Sequence, residues 1–153
     1  MELATNFRFI GDYASAEEIL KYVIARSPKY PVAMINLAVL YQQNLKNYAE
    51  AEKYYLQFFS IDSINVSTYI DLSHMYRYQY LAKADLADDI LIQGLGKHPG
   101  DLGFAVELAH YYRDTNNIAA ARTYYAQAIA SAEKDNNTKV AEVLRVELAA
   151  LPK

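Results

Sequence analysis

The sequence contains no cysteine, and this absence removes two kinds of architecture. Without thiols, the chain of 153 residues has no disulfide framework and no thiolate zinc site, and the redox compartment is not indicated. Long apolar runs are also missing. No stretch approaches the roughly 18 residues that a membrane-spanning helix needs, and no signal peptide is visible. A net charge of −3 argues against a general binder of phosphate backbones.

Catalytic motifs are absent as well. The chain has no cysteine nucleophile, no glycine loop that would cradle a phosphate, and no motif that pairs a serine with a histidine base. The sequence therefore predicts a protein that is not an enzyme and that needs no cofactor. Its 53% of hydrophobic and 22% of charged residues are typical of an ordinary globular chain.

The clearest pattern that is present lies between Leu102 and Glu133. Apolar and small residues recur there at helical spacing on both sides of a polar break at Asn116 and Asn117. The first stripe consists of Leu108, Ala109 and Tyr112, and the second of Ala121, Tyr125, Ala128 and Ile129. This pattern predicts two helices joined by a turn, with small residues where the helices approach closely.

The same pattern occurs four times along the chain. The place of Tyr112 is taken by Phe7, Tyr41 and Tyr76, at successive separations of 34, 35 and 36 residues. The leucine place holds Leu3, Leu37, Leu72 and Leu108. The alanine of the second helix recurs as Ala16, Ala51, Ala87 and Ala121. Four copies in phase indicate a repeat architecture, and the 15 tyrosines mostly fall at its inter-helix packing positions.

The spacing Leu-Ala-x-x-Tyr, followed by Ala-x-x-x-Tyr-x-x-Ala, resembles the tetratricopeptide repeat, whose period is about 34 residues. The tryptophan that often opens such a repeat is absent. The resemblance implies an all-α, right-handed superhelix, an α-solenoid of about four helix-turn-helix hairpins plus a C-terminal capping helix. We expect one domain over residues 1–153, with repeats at about 1–30, 31–65, 66–101 and 102–135 and the capping helix at 136–151.

Three places depart from the regular pattern. The first helix is short, which suggests a piece of a longer protein and leaves an apolar face open to self-association. One extra residue falls in the turn Asn44–Asn47, where a surface insertion is usually harmless. Two extra residues lie between Tyr76 and Ala87, and we expect the segment Tyr76–Leu81 to extend its helix by a turn. Its tyrosines either cover the end of the hairpin or form an aromatic ledge for a ligand. Ser15 and Glu18 have the form of a capping box, but they lie one turn inside the expected start of the second helix at Tyr13.

The resemblance also implies a concave groove lined by the first helix of each hairpin. The residues that it places in this groove are Arg8, Asn36, Gln42, His74, Arg77, His110 and Arg113. An apolar strip runs beside them, formed by Ile35, Ile70 and Val106. Because arginine can hold a carboxylate through two hydrogen bonds, such a ladder suits a peptide with acidic side chains. The alternative is that these are solvated residues on exposed helix faces.

Two more specific sites are disfavoured. Some relatives bind the C-terminal carboxylate of chaperones through lysine, asparagine and arginine. Only Asn36 fits that arrangement here, whereas Asp71 and Glu107 would repel a carboxylate. Each of these two acids also lies three residues before a histidine, as in di-metal helix bundles. Repetition explains that spacing better, so no metal is expected. A groove whose affinity changes in mild acid, through His74 and His110, stays an alternative.

The function that follows from the resemblance is non-catalytic protein–protein recognition, as a scaffold or adaptor that binds a peptide or partner helix in its groove. One alternative is a regulatory or substrate-recruiting domain of a larger enzyme or membrane-associated assembly protein. Another is an RNA reader of the pentatricopeptide kind, which the acidic balance disfavours. We expect a protein or peptide partner, no nucleic acid and no membrane insertion. The compartment is open, with a soluble, cytoplasmic domain slightly favoured.

Overall fold

A computed structural model describes residues 2–62 and 65–152, which form nine α-helices and no strand. The helices are α1 (Glu2–Phe9), α2 (Tyr13–Arg26), α3 (Pro31–Val39), α4 (Tyr48–Phe59), α5 (Val66–Tyr78), α6 (Ala87–Lys97), α7 (Leu102–Asp114), α8 (Ile118–Lys134) and α9 (Thr138–Ala149). A π-helical turn, Leu40–Leu45, continues α3, and a 3-10 helix, Leu81–Leu86, precedes α6. None of the helices in these two ranges is long and apolar enough to cross a bilayer.

Each helix packs on the next one along the chain. The pairs α1–α2, α3–α4, α5–α6 and α7–α8 form hairpins, and α9 packs on α8. Because contacts run mostly between neighbours in sequence, the core extends along the molecule as it does in a solenoid. The all-α solenoid expected from the repeats is confirmed.

The repeat positions explain the close helix packing. The alanines Ala16, Ala51, Ala87 and Ala121 are completely buried, and so are Leu37, Leu72 and Leu108. Gly94 is buried where the ring of Phe104 crosses α6, and a Cβ at that glycine would overlap the ring. Most tyrosines are buried or half-buried in the core; the exceptions are Tyr22, Tyr30 and Tyr78.

Five turns within the described residues use the same short motif to begin the next helix. A residue with positive φ, such as Gly11, Gly100 or Asn116, is followed directly by an aspartate or asparagine. The side chain of that second residue accepts a hydrogen bond from the backbone amide three residues later, which satisfies a free N–H group at the helix start. The caps of these turns are Asp12, Asn47, Asp101, Asn117 and Asn137. The side chain of Asn65 makes the same hydrogen bond at the start of α5.

The second helix begins at Tyr13, as expected. Its cap is Asp12, and Ser15 lies one turn inside the helix, where its amide and hydroxyl both donate to that aspartate. Two local expectations were wrong. The extra residue of the second hairpin is accommodated within the helix, as the π-helical turn Leu40–Leu45, because an added residue there widens one helical turn and keeps the following turn short. The segment after Tyr76 does not prolong α5, which ends at Tyr78, and the added residues form the 3-10 helix.

Candidate functional site

The first helix of each hairpin and α9 form one surface, which we call the A-helix face (α1, α3 with its π-helical turn, α5, α7 and α9). Side chains on successive helices of this set bond directly to each other. The pairs are Gln42–Gln79 at 3.0 Å, His74–Glu107 at 2.9 Å, Arg77–Asp114 at 2.9 Å and His110–Glu147 at 2.8 Å. Their separations of 33 or 37 residues are close to one repeat, so comparable contacts recur from hairpin to hairpin.

Two of these links join a histidine to a glutamate. The Nε2 atom of His74 lies 2.9 Å from Glu107, and this hydrogen bond raises the pKa of the imidazole, with the charges of Glu107 and Asp71 acting in the same direction. The same hydrogen bond lowers the pKa of Glu107. Both side chains are partly exposed, at 43% and 27%, so water weakens their attraction. The pair therefore favours the doubly charged form but remains open to solvent.

Arg77 contacts one carboxylate and two aromatic rings of the protein. Its guanidinium donates to Asp114 and lies over the rings of Tyr78 and Tyr111, at 4.8 and 5.2 Å from their centroids. Hydrogen bonds from Arg113 and then Arg77 lower the pKa of Asp114. Arg77 thus has a carboxylate and two aromatic faces as partners before any ligand arrives.

Arg113 belongs to a second network at the α7–α9 contact. Its Nε donates to Asp114 at 2.7 Å, and its Nη1 donates to the hydroxyl of Tyr125 at 3.2 Å. That hydroxyl in turn donates to Glu147 at 2.9 Å. Burial favours the neutral form of Glu147, but the hydrogen bonds from His110 and Tyr125 outweigh it, and the pKa of Glu147 is lowered.

Gln42 differs from the other residues that the sequence places in the groove, because only 6% of it is exposed. Its Oε1 accepts a 2.5 Å hydrogen bond from Tyr55, and its Nε2 donates to Gln79. Tyr55 and Tyr125 occupy the same repeat position, so the buried Gln42–Tyr55 contact corresponds to the Arg113–Tyr125 contact two hairpins later. Gln42 therefore acts as an internal link of the A-helix face.

Arg8 and Asn36 lie together at the other end of the face. Both line a partly open cavity of about 90 Å³, whose walls are completed by Ala4, Thr5, Ala16 and Leu20. Neither the guanidinium of Arg8 nor the amide of Asn36 forms a hydrogen bond or ion pair with any residue of the two described ranges. The structure thus brings these two predicted residues onto one cavity and separates them from the paired cations of α5 and α7.

The three tyrosines after His74 have different environments. Tyr76 is buried, and Tyr80 is half-buried against the rings of Tyr48 and Tyr76. Tyr78 is 58% exposed and has Arg77 over its ring. A ledge of three exposed rings is therefore not formed, and one tyrosine remains available to a ligand.

Sequence reasoning missed a second ladder, in which each repeat tyrosine donates to an acid on the preceding hairpin. Tyr41 donates to Glu17 and Tyr76 to Glu52, both at 2.6 Å, and Tyr112 donates to Asp88 at 2.8 Å. All three pairs are 24 residues apart. A signal was present, since each acid directly follows the alanine of its repeat, as in Ala16-Glu17, Ala51-Glu52 and Ala87-Asp88.

Apolar residues remain accessible on the A-helix face. Ile35, Ile70 and Val106 are half-buried, and Val32, which lies one turn before Asn36, is 44% exposed. On α9, Val143 and Val146 are 57% and 68% exposed and border a shallow depression together with Glu147. Within the described ranges, no three or more histidine, aspartate or glutamate side chains are grouped so that they could hold a metal ion.

Comparisons with known proteins agree with this architecture. Two family profiles, each described as a tetratricopeptide repeat, match residues 11–57 and 105–134, which together make up half of the chain. No curated protein sequence matches the chain.

Solved structures resemble the whole chain. Two crystal structures of MamA have TM-scores of 0.63 and 0.64 at 16% and 18% identity, over 94% and 97% of this chain and 91% and 84% of theirs. TTC0263, a thermophilic TPR protein of Thermus thermophilus, has a TM-score of 0.60 at 23% identity, over 97% of this chain and 77% of its own. At these identities, the likeness concerns the fold alone. The repeat profiles and the four hairpins show that the chain belongs to the tetratricopeptide-repeat family.

Proposed function

We propose that this protein is a non-catalytic scaffold or adaptor that binds a peptide or a partner helix along its A-helix face. Tetratricopeptide repeats are in general modules of protein interaction, and that broad role applies to this chain. The observation that supports the choice of face is its side-chain composition. Half-buried aliphatic residues run beside partly exposed polar pairs over several successive helices, which suits the apolar and polar sides of a bound segment.

The paired cations change the expected chemistry of the partner. His74, Arg77, His110 and Arg113 each already have a carboxylate partner within the protein. Because an acidic ligand would have to displace these partners, most of the affinity is expected from apolar contacts. The polar pairs then determine the orientation of the ligand.

A matched pair of variants tests the face. The A-face variant carries Val32→Ser and Val146→Ser, and the B-face variant carries Leu56→Ser and Ile92→Ser. The two residues of the B-face variant lie on the second helices α4 and α6 and are 46% and 41% exposed, against 44% for Val32 and 68% for Val146. Each variant and the unchanged chain serve as bait in source-cell lysate, with the retained proteins quantified by mass spectrometry. We expect a partner whose recovery falls at least about tenfold with the A-face variant only. Loss of the same partner from the B-face variant alone contradicts the proposal.

Self-association is a second proposed property, because the first hairpin exposes large apolar side chains. Phe9 is 91% exposed, Ile10 72% and Leu3 57%. Sedimentation equilibrium over a concentration series is expected to show a reversible dimer that Phe9→Ser with Ile10→Ser abolishes. A monomer at all concentrations excludes this property and leaves partner binding on the A-helix face unaffected.

A further inference from the structure

The row of first helices ends at α9 with an apolar surface, although the earlier first helices are polar at the same places. On α5, His74 and Arg77 bond to acids of α7, the next first helix. The repeat register places Val146 and Ala149 of α9 where α5 has this histidine and this arginine. Val146 is 68% exposed, and Ala149 is exposed as well. Apolar side chains are therefore accessible where a further first helix would stack on α9.

The opposite end of the chain has a matching apolar surface on α1. The register places Phe9 where α7 has Asp114, and Ile10 where the chain has Gln79 after α5. Within the chain, these two polar residues accept hydrogen bonds from the preceding first helix and its π-helical turn. Phe9 and Ile10 are instead 91% and 72% exposed. Leu3 is 57% exposed, whereas its counterparts in the other three hairpins are completely buried. This side of α1 is thus largely uncovered within the described residues.

Both ends depart from what keeps a solenoid monomeric. Terminal repeats usually present a polar outer surface, because an apolar end promotes association. Next to Val146, the shallow depression on α9 has a volume of about 440 Å³ and is also bordered by Val143, which is 57% exposed. The chain therefore combines projecting apolar side chains at one end with an apolar concave surface at the other.

We propose that α1 of a second copy stacks on α9, so that copies of this protein join head to tail. The contact continues the one between α5 and α7, with apolar residues in place of the polar pairs. Phe9 and Ile10 of one copy lie against Val146 and Ala149 of the other. Because the two surfaces differ, a dimer keeps one free surface of each kind and can add further copies. The inference rests on the proposed self-association and specifies its surfaces. Binding of another protein along the A-helix face does not depend on it.

Two variants, each with one end blocked, test this arrangement. The α1-end variant carries Phe9→Ser and Ile10→Ser, and the α9-end variant carries Val143→Ser and Val146→Ser. We expect each variant alone to sediment as a monomer at concentrations where the unchanged chain associates. An equimolar mixture of the two should contain a dimer, because each variant keeps the surface that the other has lost. The unchanged chain should exceed the mass of a dimer at the highest concentrations.

Introduced cysteines locate the contact, since the chain has none of its own. Ile10→Cys mixed with isotope-labelled Ala149→Cys is expected to form a mixed disulfide under mild oxidation, which mass spectrometry identifies. Asp89→Cys is the control partner for Ile10→Cys. It lies exposed on α6, a second helix, and should yield at least about tenfold less mixed product. Equal yields with the two partners overturn the assigned contact.

A control variant with Leu56→Ser and Ile92→Ser should associate as the unchanged chain does, because both residues lie on second helices. Circular dichroism verifies that all variants are folded. A dimer of the α9-end variant alone would show that two α1 surfaces meet, and it overturns the inference while self-association stands. A mixture that stays monomeric also overturns it. An unchanged chain that is monomeric at all concentrations overturns both this inference and the proposed self-association, but not partner binding on the A-helix face.

Discussion

The hydroxyl of Tyr76 donates a 2.6 Å hydrogen bond to Glu52 on the preceding hairpin, and Lys83 binds the same carboxylate at 2.6 Å. The tyrosine is buried, and the acid is nearly so, with 13% of its side chain exposed. Burial and this hydrogen bond raise the pKa of Tyr76, so the hydroxyl stays a donor at neutral pH. Since Tyr41 and Tyr112 make the corresponding contact, this ladder connects every hairpin of the chain to the one before it.

Removal of one hydroxyl is expected to weaken the connection between two hairpins. Tyr76→Phe should lower the free energy of unfolding by about 1–2 kcal/mol, because a buried hydrogen bond to a charged acceptor is lost and the ring is kept. Urea denaturation followed by circular dichroism measures this change. Tyr78→Phe is the matched control. Its hydroxyl belongs to a ring that is 58% exposed, and its effect should stay within about 0.5 kcal/mol. Equal effects of the two substitutions would show that the Glu52 contact is not stabilising.

The repeat fold was predictable because it depends on local spacing. Leu37, Leu72 and Leu108 are buried at positions set by helical periodicity, and the asparagine and aspartate caps lie next to turn residues. The π-helical turn was not predictable, since an extra residue between Tyr41 and Tyr48 fits a longer loop or a wider helical turn equally well. The folded chain has the wider turn, and Gln42 within it accepts a hydrogen bond from Tyr55, a contact that local spacing does not encode.

The sequence predicts which residues lie on the A-helix face. It does not predict that carboxylates of the protein pair with them. Register places Arg77, Arg113 and the two histidines on one face, and they do lie there. The partners of Arg77 and of the two histidines are 33 to 37 residues away in sequence, at places where Asp114 and Glu147 have no repeat signature. A single sequence therefore showed a row of cations, whereas the folded chain pairs each of them except Arg8.

Two glycines of α6 are expected to respond oppositely to alanine. At Gly94, a methyl group would overlap the ring of Phe104, which is fully buried and packs against Tyr69. Gly94→Ala should therefore destabilise the protein by about 1–3 kcal/mol, since overpacking outweighs the gain in helix propensity. Gly96 has open space around it, and Gly96→Ala should stabilise the helix by about 0.5–1 kcal/mol. Thermal melting of both variants gives the signs, and stabilisation by Gly94→Ala would contradict the assigned contact.

The pKa of His74 should lie above its ordinary value of about 6.5, because the hydrogen bond to Glu107 favours the imidazolium and the charges of Glu107 and Asp71 add to it. Burial and the charge of Arg77 act in the opposite direction without cancelling the effect. NMR titration of the imidazole protons measures this pKa directly. In Glu107→Gln, it should fall toward 6.5. A pKa at or below 6.5 in the unchanged chain would show that the pair does not favour the charged imidazole.

The same pair gives stability a defined pH dependence. A raised pKa of His74 adds stability that is complete below about pH 6.5 and is lost as the pH rises through the folded-state pKa. A lowered pKa of Glu107 adds stability above about pH 4.5 that is lost in stronger acid. The unchanged chain should therefore exceed His74→Gln in free energy of unfolding most clearly between about pH 5 and 6.5. Because the pair is partly exposed, the excess should stay below about 1 kcal/mol and shrink at high salt. An excess that grows from about pH 6 to about pH 9 would contradict this origin.

Gln42 and Tyr55 should behave as a coupled pair. Gln42→Leu leaves the buried hydroxyl of Tyr55 without the acceptor that it has at 2.5 Å, and the loss of free energy of unfolding should be about 1–3 kcal/mol. Tyr55→Phe alone leaves Oε1 of Gln42 unpaired and should cost about 1 kcal/mol or more. When both substitutions are combined, neither polar group remains unsatisfied. The double variant should thus be more stable than the sum of the two single effects predicts, by at least about 0.5 kcal/mol in a double-mutant cycle. Additive effects would mean that the two side chains do not interact.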